Sequence, residues 1–294
     1  MSKPQKRQHP RPPSRHPKPP SAARPGSPGA PATPAAPRVK LPPAALDAKG
    51  VAKDYGDSIA LAPLDLRVED RQRVALIGHN GSGKTTFLRL AAGLLEPSDG
   101  AVTVFGQPAG SLEARRSLSY LADAPTFYED LSVWEHLEYV ARMHGHADWQ
   151  QRGADLLGAL GIYDRADDLP NSFSRGLRQK AAIAIAFVRP FDVLLVDEPF
   201  VGLDSPGKRA LIELFDDAAD AGATLVVATH ELPFIEHCDR LVALRDGGIV
   251  YDGAPAGADS ESLVQRGDGF GSEHADPGDG TLPDGGDPTV GHTE

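Results

Sequence analysis

The sequence predicts an α/β fold, a parallel or mixed sheet covered on both faces by helices. Three observations carry this. Short apolar runs stop abruptly at glycine or at polar residues, and helically spaced apolar stretches alternate with them. In addition, one glycine-rich turn joins such a run directly to a helical stretch. Runs that are apolar at every position suit strands buried on both faces, as parallel sheets require.

In chain order, Val74-Ala75-Leu76-Ile77 is the first such run, ended by Gly78. Phe87, Leu90, Ala91 and Leu94 then recur at helical spacing, and Val102-Thr103-Val104-Phe105 follows as a strand. Residues about 106–175 show no strand run after Leu121 and read as a helical insert. Within it, Ser132-Val133-Trp134-Glu135 has the spacing of a capping box, and Val133, Leu137 and Val140 share one helical face. Val193 to Val196 and Thr224 to Ala228 are two more buried strands. Ser205-Pro206 is expected to open the helix between them, with the serine as cap and the proline at the first helical position.

The ends differ from this body. Of the 294 residues, 1–45 hold fourteen prolines and nine Lys or Arg with no carboxylate. Residues 251–294 hold ten carboxylates and one base, Arg266. The expectation is a disordered basic tail over 1–45, one domain over 46–253, and a disordered acidic Gly/Asp-rich tail over 254–294. The two ends cancel in charge, so the formal −11 belongs to the middle. A body of that size can bury roughly 70% of its unfolded surface. Its charge makes it a poor general binder of nucleic acid, which needs a positive field along the phosphates. One cysteine, Cys238, cannot form an internal disulfide, which suits a reducing compartment. No run approaches the roughly 18 apolar residues of a membrane span, and no signal-peptide core follows the basic start.

Gly78-His79-Asn80-Gly81-Ser82-Gly83-Lys84-Thr85 fits the pattern G-x-x-x-x-G-K-[ST], and Thr86 follows. Its glycines let successive N–H groups curl around a phosphate chain, and the next helix aims its positive end at the same place. Lys84 is expected to reach the β- and γ-phosphates of a nucleoside triphosphate, and the Thr85 hydroxyl to take a place on Mg²⁺. His79 and Asn80 contribute backbone, with no demand on their side chains. The strand Val193 to Val196 ends in Asp197 and Glu198. Asp197 suits Mg²⁺ and its waters, and Glu198 suits polarising the water that attacks the γ-phosphate. Thr224 to Ala228 runs into Thr229 and His230, at the edge where open α/β sheets bind ligands. An imidazole there can hydrogen-bond the γ-phosphate. His136, His144, His146 and His237 have no metal-ligand spacing and read as structural or solvated.

These residues together resemble one family, the ATP-binding subunits of ABC transporters, over about Leu46 to Gly253. Asn171-Ser172-Phe173-Ser174-Arg175-Gly176-Leu177-Arg178-Gln179 is similar to the family's signature motif. Gly202-Leu203-Asp204 is similar to its D-loop, Thr229-His230 to its switch loop, and Tyr55 to the aromatic that stacks on adenine. The resemblance implies a P-loop ATPase with a mixed-sheet core, an antiparallel β subdomain and a helical subdomain. It implies ATP and Mg²⁺ as cofactors, and a head-to-tail dimer closing over two ATP. Ser174 and Gly176 of one subunit would then face the nucleotide held by the other. It also implies integral membrane permease subunits as partners, and a peripheral place on the cytoplasmic side of the membrane.

Three positions depart from the pattern, one of them Leu177 at the place of the signature glutamine. Arg175 stands at the first signature glycine, and S-R-G occurs especially in exporter-like subunits, which points to export. Asp123, in Tyr120-Leu121-Ala122-Asp123-Ala124-Pro125, stands where the family offers Mg²⁺ a glutamine; an aspartate is shorter and charged but still a hard oxygen ligand. The competing reading is a soluble ABC-type ATPase acting mechanically on ribosomes or nucleic acid. Against it stand a single ATPase core, no sustained heptads and the acidic body. A P-loop kinase or GTPase gives no reason for Ser174-Arg175-Gly176 or for His230.

Overall fold

A computed structural model of the chain describes residues 43–264. The expectations for residues 1–42 and 265–294 lie outside the described residues. The elements open with β1 (Leu46–Asp54), β2 (Ile59–Val68), β3 (Arg73–Ile77) and α1 (Lys84–Ala91). There follow β4 (Asp99–Val104), β5 (Gln107–Pro108), α2 (Leu112–Ser117), β6 (Leu118–Leu121), α3 (Val133–Met143), α4 (Gln150–Ala159) and α5 (Arg175–Phe187). The remainder is β7 (Val193–Asp197), α6 (Ser205–Asp220), β8 (Thr224–Ala228), α7 (Leu232–Glu236), β9 (Arg240–Arg245), β10 (Gly248–Gly253) and α8 (Ser260–Val264).

Two sheets result. An antiparallel one has the order β2-β1-β4-β5, and a six-stranded one the order β10-β9-β3-β8-β7-β6. In the latter only β10 runs antiparallel to its neighbour, so the sheet is mixed as expected. Period-two alternation divides β3 between two cores. Val74 and Leu76 join α1 and the antiparallel sheet through Phe87, Leu88, Leu66 and Val104. Ala75 and Ile77 face the opposite layer, where Leu137, Leu157, Phe187 and Phe215 come from α3, α4, α5 and α6. Both faces are thus dry, which is why the run from Val74 to Ile77 is apolar throughout. Each fully buried Phe stabilises the fold by roughly 1.5–3 kcal/mol relative to an exposed one.

Several local expectations shift. Leu94 is 65% exposed and lies beyond α1, because Gly93 (φ +69) turns the chain there. A Cβ on Gly93 would come within 2.1 Å of the Gly110 backbone, so this crossing requires glycine. The cap of α6 is Asp204, whose carboxylate accepts from the Gly207 N–H; Ser205 is already helical, and Pro206 occupies the second position. The helical insert starts after Leu121, because β6 is the edge strand of the main sheet, pairing parallel with β7. Ordered chain also continues past Gly253: Leu263 and Val264 of α8 pack on the core beside β3 and β9. The capping box at Ser132 forms in full, and Val133 and Leu137 are buried with Val140 packed at their edge.

Candidate functional site

The carboxyl ends of β3, β6, β7 and β8 converge, and the chemistry-bearing residues sit on the loops leaving them. After β3 the chain enters the glycine turn. Gly78 (φ +150) passes so close to β9 that a Cβ would meet the Leu244 carbonyl at 2.2 Å. Gly83, left-handed at φ +106, begins α1 with no side-chain cap, leaving the helix's first N–H groups for a ligand. Lys84 turns back over the loop and donates to the Gly78 carbonyl. The resulting cleft, about 480 Å³, is lined by residues 79–86, by Ser58 to Ala60, and by Asp123, Asp197 and Glu198.

Asp197 is 1% exposed, and its Oδ1 has no hydrogen-bond partner. Burial pushes its carboxyl above the usual range, the Thr85 hydroxyl opposes the rise, and the charges of Asp123 and Glu198 add to it. Burial also lowers the Lys84 ammonium, against the pull of Glu198 and Asp197. Lys84 Nζ lies 3.6 Å from Glu198 Oε1, and His230 Nε2 lies 3.3 Å from the same oxygen. Glu198 reaches this position through a left-handed backbone (φ +45) pinned by its N–H donating to the Ala228 carbonyl. Such a conformation costs a non-glycine residue about 1–3 kcal/mol and occurs preferentially at functional sites. An unpartnered buried carboxylate oxygen facing a phosphate cradle, beside a threonine hydroxyl, is a fitting donor set for Mg²⁺. Among the described residues no three acidic or imidazole groups converge as a metal cage.

Ser174 caps α5, its hydroxyl accepting from the Leu177 N–H at 3.4 Å. Gly176 approaches the loop after β7 closely; a Cβ there would lie 2.6 Å from the Gly202 carbonyl. On that loop Asp204 Oδ1 pairs with Lys180 Nζ at 3.0 Å, which holds its carboxyl below the usual range. The start of α5 and the Asp204 loop are therefore packed against each other. Ser174 and Arg175 are solvent-exposed there.

Other expected residues are placed differently. Tyr55 is 59% exposed and lies outside the lining of the cleft, with Lys53 Nζ 5.1 Å above its ring. Ser58, Ile59 and Ala60 do line the cleft; Ile59, 66% exposed, is an apolar surface at its mouth. No sequence pattern marks them, since their position comes from the hairpin joining β1 to β2. The His79 ring stays beside the loop, its Nδ1 donating to the Asn80 carbonyl and its Nε2 3.6 Å from Asp246. His136 is structural: Nδ1 donates to the Ser132 carbonyl and Nε2 accepts from the Tyr128 N–H.

A glycine-rich cradle before a helix, an acid-ended strand beside it and a histidine just after the next strand define a P-loop ATPase. Residues 61–201 match the family described as ABC transporter. The SkfA peptide export ATP-binding protein SkfE of Bacillus subtilis is 32% identical over 210 residues, covering 70% of this chain and 88% of that protein. Among solved structures, an ATP binding subunit of an ABC transporter superposes with a TM-score of 0.69 at 30% identity, covering 74% of this chain and 97% of the other. A dimeric ATP-binding cassette bound to ADP and Pi shares the fold at 24% identity and TM-score 0.67, over 72% and 100% of the two chains. The chain belongs to the ABC transporter ATP-binding family and is an ATPase of that family.

Proposed function

We propose that this chain is the ATP-hydrolysing subunit of a membrane transporter, pairing head to tail with a second copy around two Mg-ATP and driving export. The observation that carries the reading is the convergence of Lys84 and His230 on one oxygen of Glu198, at 3.6 and 3.3 Å, above the buried Asp197. Glu198 holds and polarises the attacking water. His230 orients Glu198 and senses the γ-phosphate. Lys84 and the loop N–H groups neutralise the phosphates, while Thr85, Asp197 and Asp123 would hold Mg²⁺, whose positive charge would offset the negative charge developing on the phosphate oxygens.

Pairing follows from what one chain leaves unfinished. Neither Ser174 nor Gly176 lines the chain's own cleft, and Ser174 is exposed to solvent. A second copy supplies each half with the other, so ATP joins the two and its hydrolysis loosens them. A dimer is the state of the cassette bound to ADP and Pi. Export is supported by the name of the Bacillus relative. Among the described residues no helix is long and apolar enough to cross a membrane. In this reading the permease is a separate partner, and the subunit sits peripherally on its cytoplasmic face.

The test uses Glu198→Gln protein with Mg-ATP, sized by light scattering and used to capture partners from detergent-solubilised membranes of the native host. A dimer that forms only with ATP and retains a stoichiometric multi-span protein supports the reading. Capture of ribosomal proteins with no membrane partner overturns it in favour of a soluble mechanical ATPase.

A further inference from the structure

Arg175, the first residue of α5, directs its side chain across the loop after β7. A Cβ on Gly202 would lie 3.3 Å from Arg175 Cγ and 3.4 Å from Cδ, so the absence of a side chain there leaves room for the arginine stem. Its Nη2 then lies 3.9 Å from Asp123 Oδ1, on the loop leaving β6. Asp123 borders two clefts at once. One is the nucleotide cleft with Asp197 and Glu198; the other, about 450 Å³, is walled by Arg175, Arg178 and Gln179.

Three carboxylates thus share the nucleotide cleft with one buried ammonium, Lys84, and Asp123 adds to the repulsion that Asp197 feels. Without a cation, Asp123 gains from a positive partner, and Arg175, 3.9 Å away, is that partner. A divalent cation reverses the balance and draws the carboxylate inward. We propose that Arg175 is a positioning residue that holds Asp123 by an ion pair at the junction of the two clefts, so that Mg²⁺ must compete with it for this carboxylate. Arg175 thereby sets the Mg²⁺ concentration at which nucleotide is held, and Mg-ATP binding frees the arginine at the exposed start of α5. The inference rests on the assignment of the cleft to Mg-nucleotide made above.

The pair is about half exposed at Asp123 and more so at Arg175, so its strength is that of a surface ion pair, and the effect is a few-fold shift. The test titrates Mg²⁺ against binding of a fluorescent ATP analogue to the full chain, read by fluorescence with no turnover required. Arg175→Ala is expected to lower the Mg²⁺ midpoint by about two- to five-fold. Arg175→Lys should stay near the parent, and Arg178→Ala, which removes a charge from the same wall, should leave the midpoint unchanged. In an Asp123→Asn background Arg175→Ala should cause no shift, and at 1 M KCl, where the Debye length is about 3 Å, the wild-type difference should collapse. An unchanged midpoint in Arg175→Ala, or the same shift with Asn at 123, overturns the inference while leaving the nucleotide reading intact. A parent protein that binds no analogue at any Mg²⁺ concentration overturns both.

Discussion

Glu198 Oε1 lies 3.3 Å from His230 Nε2, a contact between the loops leaving two neighbouring parallel strands. The sheet register makes it: Asp197 pairs with Ala228, so the residues that follow each strand emerge side by side. Glu198 is pinned besides by its N–H donating to Ala228, in a left-handed backbone that holds the carboxylate over the cleft. A group fixed this firmly by its surroundings is preorganised for one direction of attack.

Glu198→Gln should therefore retain ATP binding and lower turnover by about 10²–10⁴-fold, since the amide fills the same space but accepts no proton. The measurement is steady-state phosphate release beside equilibrium binding of a nucleotide analogue. Turnover equal to the parent's would remove Glu198 as the base.

The buried Asp197 gives a prediction about stability. Its carboxyl is held above the ordinary range by burial, so the folded state binds protons more tightly than the unfolded one. Stability from this group is thus greatest below the ordinary carboxylate range and falls as pH rises through the elevated folded value. At neutral pH the charge is a burden, borne for its role in the cleft. Asp197→Asn should raise the thermal midpoint of the nucleotide-free protein, by roughly 2–4 °C for each kcal/mol gained. It should also abolish the further rise that Mg-ATP gives the parent, through loss of binding. Differential scanning calorimetry with and without Mg-ATP reads both, and a lowered apo midpoint would contradict the argument.

How much of this was legible in the sequence depended on whether the signal was local. Strands such as Val193 to Val196 were legible because burial on both faces leaves an unbroken apolar run. The phosphate loop was legible because its spacing is itself the mechanism. Leu94 misled because helical spacing persisted past a glycine that a backbone crossing demands. Ser205-Pro206 misled because a serine before a proline imitates a cap, whereas Asp204 reaches the Gly207 N–H. The contact of Arg175 with Asp123 joins segments on different elements, and only tertiary packing brings it about.

The capping box of α3 was a local signal of the reliable kind. Ser132 Oγ accepts from the Glu135 N–H at 3.2 Å, and the Glu135 carboxylate accepts from the Ser132 N–H at 2.8 Å. That second bond holds Glu135 below its ordinary range, so its contribution is present above that range and lost as pH falls through the depressed value. Ser132→Ala should destabilise the protein by about 0.5–2 kcal/mol in urea melts at pH 7 while leaving ATP affinity unchanged. A loss of nucleotide binding without a loss of stability would show that Ser132 acts at the cleft, contrary to its position.

Gly176 tests the corner between the signature-like helix and the Asp204 loop. A methyl group there must displace the Gly202 carbonyl, which its Cβ would approach to 2.6 Å. The obstacle is backbone, so no side-chain rotation relieves it, and the Asp204 loop has to move away from α5. Overpacking of this kind costs about 1–3 kcal/mol. The displaced loop is the one whose Asp204 both caps α6 and pairs with Lys180, so part of that cost falls on two further contacts. Gly176→Ala should accordingly lower thermal stability, keep ATP binding to the single chain, whose cleft it does not line, and weaken ATP-dependent dimerisation. Light scattering with Mg-ATP in the Glu198→Gln background separates these effects. Undiminished dimerisation would mean that the Ser174–Gly176 corner does not face the second subunit's nucleotide.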